Sequence, residues 1–396
     1  AMRADGGARV AVLSEASASP TMALARKRFM EAFPKASWYV YEPVNNDNER
    51  AGTAIAVGRP HRVVLRLAPV EEGMRGPTAT TIVSLGADFL FDHPQSVRLM
   101  RELAQARRVP ALDKQQAKQQ ALPRLYTFES GLSTTGMSSD VRAAVRSSDI
   151  PAIAAAIAAG VGVQAAGLDA LAASASLGEA EKKIVQSVID DLRHANGHSV
   201  VIAGRQQPPE VHALACLINQ ALGNIGETVT LVPDPDADHP GSIESITALA
   251  RSIGEGRVET LIMLGTNPVY TAPADLDFGA LLRKVPFSVH TGFYRDETAV
   301  LSTWHVPRPH FLECWGDSRS WDGTIAIQQP LIHPMIDDAQ GGRSCIELVS
   351  LLAGKPESGE EMVRAAFASR ANSSGAMLDG RWRELLHDGV EPDSAW

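Results

Sequence analysis

Cysteine is scarce in this sequence: Cys216, Cys314 and Cys345 are the three among 396 residues, and no two lie close together. That spacing excludes a locally ligated iron-sulfur cluster or structural zinc site, because both draw on cysteines a few residues apart. Cys216 falls in the apolar stretch Val211 to Leu222 and reads as a core thiol. Cys314, between Glu313 and Trp315, has no sequence neighbour that would lower its pKa. Basic stripes are missing too. The formal charge is -9, and beyond the ordinary helix face around Arg101, Arg107 and Arg108 there is no cluster of Lys or Arg, which argues against a nucleic-acid surface. Long apolar runs are also lacking. The nearest approach, Pro151 to Ala175, is mostly alanine and is broken by Gly160, Gly162, Gly167 and Asp169, too weakly apolar to span a bilayer. Ala1 to Gly7 has no apolar core of the kind a signal peptide needs.

What is present is apolar content for large cores: 44% hydrophobic against 21% charged, over a length that suits two or three domains. The most informative stretch is Leu261-Ile-Met-Leu-Gly-Thr-Asn-Pro268. Four apolar residues ending at Gly265 fit a buried parallel strand, and Asn267-Pro268 forces a turn into a helix start. In an open α/β sheet such a loop collects free N–H groups that suit an anionic or nucleotide-like ligand. The same residues also fit a capped turn that binds nothing.

The strand-and-loop pattern occurs twice. Arg9 to Leu13 followed by the helical run Thr21 to Phe33 is echoed by His198 to Ala203 followed by Glu210 to Leu222. Ser37 to Tyr41 answers to Glu227 to Val232, Thr81 to Leu85 with Gly86 to Leu261 to Leu264 with Gly265, and Arg124 to Phe128 to Pro286 to His290. Strands of this kind alternating with helical runs predict an α/β chain of two tandem Rossmann-like parallel-sheet domains of similar topology. The expected boundaries are 1–150 for the first domain, 151–197 for an Ala-rich helical connector, 198–355 for the second domain with an irregular covering region, and 356–396 for a helical segment leading into a further domain.

His290, His305, His310 and His333, with Asp296, Glu297, Glu313 and Asp317, form a second constellation. None of them shows His-Glu-x-x-His spacing, so no metal site is assigned. Trp304, Trp315 and Trp321 in the same stretch read as a covering layer or a partner-facing surface.

Gly265-Thr-Asn-Pro268, Asp296-Glu-Thr-Ala-Val300, Glu313 and Trp321 to Pro330 resemble the third domain of molybdopterin oxidoreductases of the dimethyl-sulfoxide-reductase type. Phe33 to Asn48, Asn267 to Phe278 and Tyr294 to Pro334 resemble, within that superfamily, the iron-sulfur subunits of alternative complex III, a quinol-oxidising respiratory complex of bacteria. The resemblance implies that Gly265, Thr266, Asn267 and Pro268, the loop at Glu129, and the segment bearing Ser147, Ser148 and Asp149 stand where the superfamily holds a molybdopterin guanine dinucleotide. Two of those loops depart from the pattern. Glu129-Ser-Gly131 replaces an Asp-Pro-Arg-like turn, and Arg146-Ser-Ser-Asp149 replaces a Pro-Gly-Thr-Asp-like one. No residue matches the superfamily's metal ligand.

Charge points the same way. The loops expected at the strand ends carry Glu15, Glu42, Asp47, Asp88, Asp92, Asp234, Asp236, Asp238, Asp275, Asp296 and Glu297 against Arg50, Arg205 and Arg295. Left uncompensated, those carboxylates would repel a pyrophosphate, since two unit charges at ~4 Å interact by about 4 kcal/mol near a protein surface. The resemblance therefore implies a catalytically silent scaffold with no cofactor of its own. Its implied partners are other subunits of a membrane respiratory complex, met through Tyr294 to Pro334 at the periplasmic face, and an iron-sulfur domain C-terminal to this chain. The alternatives are a fragment of a genuine molybdopterin guanine dinucleotide enzyme and a nucleotide-binding module.

Overall fold

Val10 to Ser14 is apolar at all but its last position, and all five residues are buried, the signature of a strand covered on both faces. The computed structural model describes residues 5–68, 78–108, 122–175, 177–237, 239–336, 342–371 and 373–395. Of the residues named above, Ala1 and Asp238 lie outside these ranges. The described strands, in chain order, are β1 (Val10–Ser14), β2 (Ser37–Val40), β3 (His61–Leu65), β4 (Thr81–Leu85), β5 (Arg124–Glu129), β6 (Val141–Ala144) and β7 (Ser199–Ala203). They continue with β8 (Val229–Pro233), β9 (Thr260–Leu264), β10 (Phe287–Gly292), β11 (Trp304–Pro307), β12 (Gly316–Arg319) and β13 (Ile325–Gln328).

The chain divides into a split unit, residues 1–45 with 239–396, and a continuous unit, residues 46–238. The split unit is built on a parallel sheet of order β11-β10-β9-β1-β2. Alternation along β1 and β9 sends Val10, Val12, Ile262 and Leu264 to one face, against Phe29, Met362, Phe367 and Trp382. Ala11, Leu13, Leu261 and Met263 go to the other, against Ile246, Leu249 and Leu282. The continuous unit has a parallel sheet of order β6-β5-β4-β7 and an antiparallel pair, β3 with β8.

The α/β class and the parallel sheets match the sequence expectation; the way the chain feeds them differs. Under the echo, β1, β2, β4 and β5 correspond to β7, β8, β9 and β10. The order β10-β9-β1 of one sheet then reads as β5-β4-β7 of the other, so the topologies agree over these three strands, whereas β2 lies beside β1 and its counterpart β8 pairs with β3. Each sheet, however, takes strands from both copies of the pattern, and the compact units do not follow the boundaries at 150, 197 and 355. The cause is pairing: β1 finds its neighbour in β9, with Val10 opposite Thr260, and β4 finds its neighbour in β7, with Thr81 opposite Ser199.

Two further segments differ from expectation. The Ala-rich stretch is not a connector. Its helix Ile150–Gly160 buries Ile153, Ala154, Ile157 and Ala158, and with the helix Glu179–His194 it covers one face of the β4–β7 sheet. Alanine is suited to that place because it lets helices approach closely without side-chain entropy loss. Residues 359–388 likewise belong to the split unit, where Met362, Phe367, Trp382 and Leu385 fill the core beside the helix Pro20–Ala32. The covering region holds a short antiparallel pair, β12 with β13.

Candidate functional site

Gly265 ends β9 in the left-handed region at φ 76°, which glycine adopts without the clash a Cβ would bring. A Cβ there would stand 2.4 Å from Arg308 Nη1 and 2.6 Å from Glu15 Oε2. The space over this turn is therefore filled by an ion pair, Arg308 Nη1 to Glu15 Oε2 at 3.3 Å. The Arg308 guanidinium also lies 4.1 Å from the centre of the Phe293 ring and contacts Cys345 Sγ at 3.8 Å. After the turn, Asn267 is fixed from both ends: its amide donates to Glu297 Oε2 at 2.8 Å and its Oδ1 accepts from Thr298 at 2.7 Å. The Asn267 bond holds the Glu297 carboxyl below its ordinary pKa.

The second constellation separates. His290 and His305 meet, Nδ1 to Nδ1 at 3.0 Å, and His290 Nε2 lies 3.0 Å from the carbonyl oxygen of Thr266. That carbonyl can only accept, so Nε2 of His290 carries a hydrogen; in the neutral ring Nδ1 then accepts from His305 Nδ1–H. Burial keeps both rings below the ordinary histidine pKa. Asp296 stands 3.8 Å from His290 Nε2 and caps the helix Glu297–Leu301 through Ala299 N–H. Glu313 instead ties two loops, accepting from His310 N–H at 2.7 Å and Met335 N–H at 3.2 Å. His333 is exposed. No three His, Cys, Asp or Glu side chains converge to hold a metal among the described residues. Trp315 packs against Trp382 with ring centres 6.3 Å apart, whereas Trp304 is 62% exposed.

The donors expected to receive an anion in the split unit are engaged by its own carboxylates. Glu42 Oε1 accepts from Ala16 N–H at 3.0 Å, just past β1. Burial pushes the Glu42 carboxyl above the usual range, with the neighbouring Glu15 charge adding to the rise and the Ala16 bond opposing it. At the N-terminus of the helix Pro20–Ala32, Asp317 accepts from the Ser19 hydroxyl, from Thr21 N–H at 3.1 Å and from the Thr21 hydroxyl at 2.7 Å. A helix N-terminus favours a negative group, and here the chain supplies one. Sequence reading placed Asp317 in the covering region but gave no signal of this contact.

In the continuous unit Glu129 ends β5 buried, accepting from Ser133 and from the Arg142 guanidinium. Ser147, Ser148 and Asp149 form a 3-10 turn after β6, with both serines exposed. Asp88 caps the short helix Thr134–Met137, accepting from Thr135 N–H at 2.8 Å. Asp92 pairs with Arg205 at 3.4 Å, and Asp234 with Arg50 at 2.5 Å. The expectation that these loop carboxylates stand uncompensated is thus corrected: donors the sequence could not place satisfy them. Asp275 is exposed.

Three buried polar atoms at the β9–β10 edge, Thr266 Oγ1, Thr291 Oγ1 and Arg308 Nε, have no hydrogen-bond partner among the described residues. Among those residues no helix is long and apolar enough to cross a membrane.

No family model matches the chain, and no curated protein matches it. Among solved structures, acetylene hydratase from Pelobacter acetylenicus is similar, with a TM-score of 0.57 and 13% identity over 90% of this chain and 56% of that one. The chain spans about half the length of that chain, and a likeness at this identity establishes a shared fold.

Proposed function

We propose that this chain is a catalytically silent, molybdopterin-oxidoreductase-like scaffold of a quinol-oxidising electron-transfer complex, seated at the periplasmic face against other subunits. The collinear motifs from Phe33 to Asn48 and from Gly265 to Pro334 support the family, and two parallel-sheet units agree with it. The observation that carries the silent reading is Asp317 at the N-terminus of the helix Pro20–Ala32. With Ala16, Ser19 and Thr21 all donating to internal carboxylates, the loops do not fit a guanine dinucleotide whose pyrophosphate needs those donors. Exposed Tyr294, Trp304, Leu331 and Ile332 support a partner-facing role for the loops from Tyr294 to Pro334. Quantifying molybdenum and pterin in native, full-length material tests the reading. Neither is expected, and stoichiometric metal with pterin would replace it with the genuine oxidoreductase.

The unpartnered Thr266, Thr291 and Arg308 atoms favour a second reading, a module that binds a small polar ligand or nucleotide at the β9–β10 edge. Thermal shift against nucleotides decides it, because a ligand selective for the native state raises stability.

A further inference from the structure

In the continuous unit the helices Asp47–Val57 and Pro209–Ala221 run close together at Gly52, where a Cβ would come within 2.4 Å of the His212 Cβ. Near this contact lies a cavity of about 30 Å³, lined by Glu49, His93, His212, Cys216 and Asn219, whose amide is bound to the Val201 backbone, and otherwise by apolar side chains, chiefly of β3, β7 and β8. That volume admits about one or two water molecules and no larger ligand. The Glu49 carboxyl faces β3, where Oε1 accepts from Val63 N–H at 3.2 Å. His212 Nε2 is buried with no partner among the described residues. His93 Nδ1 accepts from Gln95 N–H at 3.1 Å.

The neighbouring charges largely offset one another. Arg62, on β3, favours the ionised form of Glu49, while Asp234, at the end of β8, disfavours it. Asp234 is itself bound to Arg50 at 2.5 Å, and Asp92 is paired with Arg205. His93, His212 and Cys216 are all held uncharged by burial. Glu49 also sits in the first turn of its helix, where the dipole favours a carboxylate. Burial outweighs the dipole and the Val63 bond, and the carboxyl is pushed up to about 7.

We propose that this cavity is a buried proton-binding site: Glu49 holds a proton in the folded chain, and cavity water links its carboxyl to His212 Nε2. On ionisation the Glu49 O–H bond breaks, the proton passes to solvent, and one negative charge stays in the cavity. The cavity has few groups to solvate that charge.

Infrared titration of the whole chain tests this. A protonated-carboxyl band should disappear with a midpoint near pH 7 and be absent from Glu49→Gln, which keeps the size of the side chain and the Val63 acceptor. If every carboxyl titrates in the ordinary range, or if the high band survives in Glu49→Gln, the proposal fails. Should the variant not fold, carboxyl-carbon NMR of glutamate-labelled wild-type chain reads the same midpoint. His212→Leu removes the polar wall and should move the midpoint further up; an unmoved midpoint would overturn the water link.

Discussion

Asp317 holds Thr21 by two bonds, one to its backbone N–H at 3.1 Å and one to its hydroxyl at 2.7 Å. A residue of the β12–β13 pair thereby closes the N-terminus of the helix that follows β1, across nearly 300 positions of sequence.

Removing this carboxylate leaves a buried helix end short of acceptors. Asp317→Ala should lower unfolding stability by about 1–3 kcal/mol, read from the urea midpoint, with Asp317→Asn losing less. Added phosphate should restore part of the loss in Asp317→Ala and leave the wild type unchanged, since only the variant has the helix end vacant.

Reversing either Asp88 or Asp275 looks harmless on a reading that places both side chains in an open crevice. The structure separates them. Asp275→Lys, at an exposed site, should change stability by less than about 0.5 kcal/mol. Asp88→Lys deprives Thr135 of the acceptor for its N–H and hydroxyl and should cost about 1–3 kcal/mol. Equal denaturation midpoints for the two variants would contradict the cap.

Gly204 and Gly131 make a second contrast. A Cβ on Gly204 would lie 2.0 Å from the Gly86 carbonyl oxygen, backbone that cannot swing aside, so Gly204→Ala should cost roughly 3 kcal/mol or more. Gly131 has nothing within 4 Å of such a Cβ, and its alanine variant should melt within a degree or two of wild type, about the shift expected for a surface change. Melting curves of both variants provide the check.

Burial holds His93 and His212 down at about 4 against 6.5 in the unfolded chain. Between those values the unfolded chain binds protons that the folded chain does not, so stability is full above pH 6.5 and falls as the medium is acidified. The loss should reach up to about 3 kcal/mol per ring. Glu49, raised to about 7 from 4.5, acts with the opposite sign, weakening the fold as pH rises through that interval. Denaturant midpoints of the continuous unit should therefore rise from pH 4.5 and peak near pH 6.5. A maximum above pH 8 would contradict these assignments.

The strands that read most clearly in sequence are those with apolar side chains on both faces. Thr81–Leu85 falls where periodicity puts it, and β1, β5, β7 and β9 lie within a residue or so. The edge strands β6 and β11 and the antiparallel β3 were missed, because a short, half-covered strand carries little apolar pattern. Partner choice was illegible for a different reason. Val10 beside Thr260 depends on which of several similar strands fits which edge, and every candidate offers the same buried face. At the site, Gly265 signalled its turn, but Glu15 and Glu42 read only as negative charge and Asp317 only as a member of the histidine and carboxylate constellation. Whether a carboxylate repels a ligand or imitates one depends on the N–H it meets, and no local spacing encodes that.

Because β1 and β2 complete a sheet whose other strands begin at Thr260, residues 1–45 have no sheet to join until β9 has been synthesised. Residues 46–238 emerge complete in the interval and can collapse on their own. Synthesis thus imposes an order in which residues 46–238 mature first while residues 1–45 wait, the apolar β1 strand a hazard for chance association until its distant partner arrives.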